Sequence, residues 1–218
     1  MKYLKAFLLT LLYYFFLEIV SFWVLLIPFT TESLPIYNIS HLINSIVTLL
    51  LVVFFFRLIK RDDLFSLNKA KSKFYLFAIL LGIGFVFFQS ILRIIYFQEV
   101  SSDFFNYEFT LSRLASYNIL ASIMLVPLTE ELFFRNYIQG GLSKYHKPFK
   151  AILFASCLFA FIHIPFATLF FDLLDFSLLR SFVAFFGGFI SGVLYYKSKS
   201  IGPSIIFHAF WNLTSYIV

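Results

Sequence analysis

The stretch Leu128-Thr129-Glu130-Glu131-Leu132-Phe133-Phe134-Arg135 places two adjacent carboxylates and an arginine inside an apolar run long enough to cross a bilayer. Ionised side chains at that depth cost roughly 2.5–3.5 kcal/mol each on insertion scales, so they persist where they face protein or a wet cavity. On a helix Glu131 and Arg135 stand four apart and share a face, and they are expected to pair. Glu130 is turned about 100° away from Glu131, which leaves its carboxylate for chemistry. Two more four-residue spacings stand in later apolar runs: Phe159 with His163, and His208 with Asn212. In each, the two residues share a helix face, so Phe159 can pack the wall beside His163. Glu130, His163, His208 and Asn212 thus come from three separate helices and can meet in one cavity.

A carboxylate and a histidine can share a water and take its proton, making a nucleophile. A second histidine and an amide can donate to the oxyanion that forms when water attacks an amide carbonyl. That chemistry is peptide hydrolysis without a covalent intermediate. Glu130, His163 and His208 could instead hold Zn²⁺, since His₂Glu is a catalytic zinc set. No HExxH pattern places two ligands on one helical turn. A metal-free site is the leading expectation, and zinc is the alternative.

These residues need a membrane scaffold to position them. The chain has 218 residues, 61% of them hydrophobic and only 13% charged, with a mean hydropathy of +0.91. A soluble domain carries about 25% charged residues, so the composition describes an all-α polytopic membrane protein. The 34 phenylalanines are spread through the apolar runs. The net charge of +6 comes from Lys and Arg at the ends of those runs, which fits the positive-inside pattern rather than nucleic-acid binding. The single Cys157 excludes an internal disulfide and reads as a small core residue.

Seven spans are expected, over about residues 4–27, 39–59, 74–97, 111–138, 149–164, 180–196 and 203–218. A polar cavity should lie between the last four. Glu18 reads as an inward-facing anchor, His41 as an interfacial residue, Arg93 as a snorkelling one and His146 as a solvated loop histidine. Gly140-Gly141 should stop the fourth span. Gly82 and Gly84, and the Gly188/Gly192 face, should admit close helix contacts. The basic segments 60–73 and 144–150 place themselves and the N-terminus in the cytoplasm. Residues 166–179, interrupted by Asp172 and Asp175, read as an interfacial or re-entrant segment on the outer side. The whole is one membrane domain, with residues 1–110 as three accessory helices and 111–218 as the catalytic helices.

Glu130-Glu131-xxx-Arg135, Phe159-xxx-His163 and His208-xxx-Asn212 resemble, in order, the three motifs of the CPBP intramembrane proteases, also called the Abi or CAAX-protease family. The glycines ahead of His208, namely Gly188, Gly192 and Gly202, suit the third motif. The resemblance covers roughly residues 111–218. It implies water activated by Glu130 and His163, an oxyanion held by His208 and Asn212, and supporting roles for Glu131 and Arg135. It further implies a peptide or membrane-protein substrate in the lipid bilayer, cut near the cytoplasmic side, with bacterial relatives linked to bacteriocin immunity and peptide processing. Richness in Phe, Ile, Lys and Tyr fits a bacterial source. Two competing readings are a non-catalytic immunity or scaffold protein on the same fold, and a small transporter or proton relay. The transporter finds no support in internal repeats.

Overall fold

The computed structural model describes residues 1–27, 34–61, 69–111, 114, 117–165 and 178–218. Among them the chain forms seven helices and no strand: α1 (Tyr3–Phe22), α2 (Leu34–Leu58), α3 (Ser72–Phe97), α4 (117–143), α5 (Pro148–Phe161), α6 (Leu179–Ser198) and α7 (Gly202–Ile217). The expected all-α polytopic architecture is present, and each expected span has its helix. Residues 166–177, the bulk of the segment read as re-entrant, lie outside the described residues.

Helix length separates scaffold from site. Four helices are long and apolar enough to cross a membrane: Tyr3–Phe22, Ile39–Leu58, Ser72–Phe97 and Leu179–Ser198. The helices that carry Glu130 and His208, and the one that His163 directly follows, are different. α5 has 14 residues and α7 has 16. At 1.5 Å per residue these reach only about 21 and 24 Å, short of the roughly 30 Å hydrocarbon core. Both open with proline in the first turn, where the missing N–H costs nothing. α4 is longer but polar at its centre.

Small residues let these helices close. A Cβ on Gly82 would come within 2.6 Å of the Phe207 carbonyl, so α3 and α7 meet backbone to backbone. Around Gly84 there is open space, so only one of that pair serves a contact. Gly188 lies against Phe159 and Arg135, and Gly192 against Gln139 and Ile152, as a small-residue face should. α5 is wedged beside α4 and α6, burying Ala151, Ile152, Ala155, Ser156, Leu158, Phe159 and Ala160.

Two expectations about this region are corrected. α4 runs through Gly140-Gly141 to Ser143 instead of stopping. A Cβ on Gly141 would come within 2.9 Å of the Met1 side chain, and the Met1 ammonium donates to the Gly141 carbonyl at 2.6 Å. The glycine makes room for the N-terminus and has no terminating role. Cys157 is exposed, because it lies on the side of α5 turned away from α4 and α6.

The helices alternate in direction, so each end of the bundle has its own chemistry. Lys2, Lys5, Lys60, Lys69–Lys73, Lys144–Lys150 and Lys197–Lys199 all fall at one end, which holds every lysine of the chain. There His146 stacks on Tyr3 with ring centroids 4.0 Å apart, so it is not the solvated loop residue expected. At the other end Glu99, Asp103 and Glu108 follow α3, and the Thr110 N–H donates to the Ile217 carbonyl at the end of α7.

Candidate active site

α4 positions the glutamates with two departures from α-helical geometry. Residues Ala121–Leu125 and Leu132–Gln139 form π-turns, with an α-helical Val126–Glu131 between them. Such turns are rare and concentrate at functional sites. The first has a local cause and a consequence. The Val126 N–H reaches five residues back to Ala121, and Pro127 has no N–H to offer. The Ser122 carbonyl is thereby left for another donor, and Asn212 Nδ2 donates to it at 2.7 Å. A backbone irregularity in α4 thus fixes the Asn212 side chain from α7.

Glu131 faces protein on every side. It is 1% exposed, and Arg135 is fully covered. Arg135 Nε donates to Glu131 Oε2 at 3.0 Å, and the Ser191 hydroxyl donates to the same oxygen at 2.5 Å. The expected i,i+4 pair is therefore present, with a third member from α6. Glu131 Oε1 lies 3.2 Å from His208 Nδ1. The Arg135 guanidinium carbon sits 4.9 Å from the centre of the Phe159 ring, and its two terminal nitrogens are buried without a hydrogen-bond partner among the described residues. Below it Gln139 Nε2 donates to the Gly192 carbonyl, and Ser204 Oγ to that of Ser191, tying α4 to α6 and α6 to α7.

Glu130 faces the opposite way, into a cavity of about 710 Å³ lined also by His163, His208, Trp211 and Asn212. Its Oε2 is buried without a hydrogen-bond partner. His208 Nε2 lies 3.9 Å from that oxygen, too far for a direct bond but within reach of a bridging water. His163 Nδ1 lies 2.8 Å from the Phe159 carbonyl. A carbonyl only accepts, so Nδ1 carries the proton, and a neutral ring then presents Nε2 as an acceptor. The Phe159 ring packs 4.6 Å from His163 and 5.9 Å edge-on from His208, so one aromatic side chain orients both imidazoles. All four expected chemical groups line this cavity.

A family model described as type II CAAX prenyl endopeptidase, Rce1-like, matches residues 112–214. Over these residues the chain is similar to the CAAX-protease family. No curated protein and no solved structure matches the chain. The CAAX-protease match takes in α4–α7 almost entirely, and hence every residue of the constellation just described. It leaves out α1–α3, of which α2 and α3 contribute residues to the cavity wall.

The cavity walls hold residues that motif spacing did not single out. His41 Nε2 lies 3.1 Å from Ser122 Oγ, which is also 3.1 Å from the Tyr216 hydroxyl. His41 thus lines the cavity from the outer end of α2. Its signal was present in α2: His41, Ser45 and Thr48 recur on one helical face, and Ser45 and Thr48 are buried. Tyr216 extends the His208–Asn212 spacing by four more residues. Arg93 also lines the cavity, as does Arg180.

The zinc alternative meets an obstacle in the same geometry. Glu130, His163 and His208 all border the cavity, yet among the described residues no three His, Cys, Asp or Glu side chains gather as a metal-binding group.

Proposed function

We propose that this chain is a metal-free intramembrane endopeptidase that hydrolyses a peptide bond with water activated by Glu130 and His163. The observation that carries the reading is the contrast within one dipeptide: Glu131 is fully engaged, while Glu130 is buried, unpartnered and turned into a cavity with two histidines. A buried carboxylate without a partner is costly, so a task in the cavity accounts for its retention.

In this scheme Glu130 takes a proton from a water that also donates to His163 Nε2. The resulting hydroxide attacks the carbonyl carbon of the scissile amide, and the C–O bond forms as the π-electrons move to oxygen. His208 donates Nδ1–H to the Glu131 carboxylate, and as an imidazolium beside that anion it presents an Nε2–H to the oxyanion. Asn212 Nδ2 has two protons and spends one on Ser122, so the second is available to the same oxygen. Collapse of the tetrahedral intermediate breaks the C–N bond, and the proton held by Glu130 passes to the leaving amine. The substrate is a peptide or membrane-protein segment within the bilayer, and the setting is a bacterial cell membrane with the lysine-bearing end, including the N-terminus, in the cytoplasm.

Elemental analysis of the purified protein beside a chelator titration of peptide cleavage tests the metal-free scheme. Activity that survives chelation in a protein without stoichiometric metal is the expected result. Stoichiometric zinc whose removal and return switch cleavage off and on contradicts it.

A further inference from the structure

The sequence suggested both a cytoplasmic N-terminus and cleavage near the cytoplasmic side, and the fold does not accommodate the two together. The cavity opens at the end of the bundle away from the N-terminus. Its rim is made by His41 early in α2, Arg93 late in α3, Leu179 and Arg180 at the start of α6, and Ser215 and Tyr216 at the end of α7. From Glu130 to Ser122 along α4 is eight residues, about 12 Å of helix leading outward. In the other direction the cavity has a floor. The Glu131–Arg135–Ser191 layer, the Gln139 bond to α6, and fully covered Phe134, Ile138 and Leu142 fill the bundle toward the lysine end.

The charge pattern fixes which side of the membrane that opening faces. Every lysine lies at the floor end, and short basic loops stay on the cytoplasmic side. The rim end carries Glu99, Asp103 and Glu108 in the 98–110 connection. Two cations nevertheless sit on the rim itself. Arg93 and Arg180 are exposed, and among the described residues neither has a hydrogen-bond or ion-pair partner. Glu130 is the single carboxylate among the described residues lining the cavity, and it lies at the bottom. An acidic group entering from outside meets two unpaired guanidiniums first.

We infer that the cavity takes its substrate from the extracytoplasmic side, as a peptide segment that presents an acidic group to Arg93 and Arg180. This rests on the endopeptidase reading for what happens to the segment once inside. The access route itself is independent of catalysis.

The test is thiol modification in intact cells, which needs no turnover and so cannot fail merely because the protease reading fails. Ser215→Cys and Leu179→Cys, each in a Cys157→Ala background, place a thiol on the rim, and Lys147→Cys places one at the floor end. The probes are two membrane-impermeant methanethiosulfonates, the anionic sulfonatoethyl and the cationic trimethylammonioethyl reagents, with rates normalised to a small thiol in solution. The rim cysteines should react from outside and Lys147→Cys only after permeabilisation. The anionic reagent should hold a several-fold normalised advantage at the rim, which Arg93→Gln with Arg180→Gln removes. Reaction of Lys147→Cys from outside, failure of both rim cysteines to react from outside, or an anion preference that is absent or indifferent to the two arginines would each overturn the inference.

Discussion

The floor and the mouth of the cavity are built from the same kinds of residue and treat them in opposite ways. In the floor, Glu131 has both oxygens engaged, by Arg135 and Ser191 on one and His208 on the other. In the cavity, Glu130 at the bottom and Arg93 and Arg180 at the mouth show no hydrogen bond among the described residues, although one acid and two cations share one lining. A bundle stabilised by charge alone would have paired them. The floor holds His208 by its Nδ1, and on the proposed function the open groups of the cavity are kept for the substrate. One residue step along α4, about 100° of rotation, moves a carboxylate from the first environment to the second.

Breaking the floor should give the largest effect. Arg135→Ala leaves the Glu131 carboxylate buried without its cation, which costs roughly 3–5 kcal/mol. Equilibrium or thermal unfolding in detergent should show this loss, together with lower protein abundance in cells. Stability equal to wild type would remove the structural role of the pair.

Asn212→Ala should come next. Removing one oxyanion donor costs about a hundredfold or more in turnover, with little change in substrate binding. The variant also strands the Ser122 carbonyl, so a modest stability loss near 1 kcal/mol should accompany it. Steady-state kinetics that show a raised KM with unchanged kcat would place Asn212 in binding instead.

The glycines sharpen the same comparison at smaller scale. A Cβ at Gly188 would stand 3.0 Å from Phe159 Cδ1 and 3.2 Å from Arg135 Nη2, in the seam where the floor meets both histidines. The Phe159 ring is held edge-on by Phe134 at 5.3 Å, so it cannot easily yield. Gly188→Ala should cost about 1–3 kcal/mol by overpacking. Gly84→Ala, with nothing within 4 Å, should be neutral or stabilise by up to about 1 kcal/mol through helix propensity. Paired melting curves distinguish the two sites.

Much of this was readable from spacing. The seven helices follow from apolar runs bounded by lysine and proline, and the Glu131–Arg135 pair follows from i,i+4 geometry alone. The constellation of Glu130, His163, His208 and Asn212 was readable because polar groups in hydrocarbon demand a reason. What stayed hidden depends on how one helix is set against another. Glu131 meets His208 across 77 residues, and His41 meets Ser122 across 81. No local period encodes those registers; they are set by where Gly82, Gly188 and Gly192 let backbones approach. The π-turns of α4 were equally silent, since Pro127 looks like a tolerable kink until the Ser122 carbonyl is traced to Asn212. Which end the cavity opens toward is likewise a property of the packed bundle.

The contrast between the two carboxylates can be measured in one side-by-side experiment. Wild type, Glu130→Gln and Glu131→Gln are purified in detergent, assayed on a fluorogenic peptide library, and melted under the same conditions. Glu130→Gln should lose activity by roughly a hundredfold to ten-thousandfold, the range for a general base, and keep the wild-type melting temperature. Glu131→Gln should melt markedly earlier, because Arg135 and His208 lose their shared anion. A Glu130→Gln protein that still cleaves at the wild-type rate, or that loses stability as Glu131→Gln does, would contradict the division between a reactive carboxylate and a structural one.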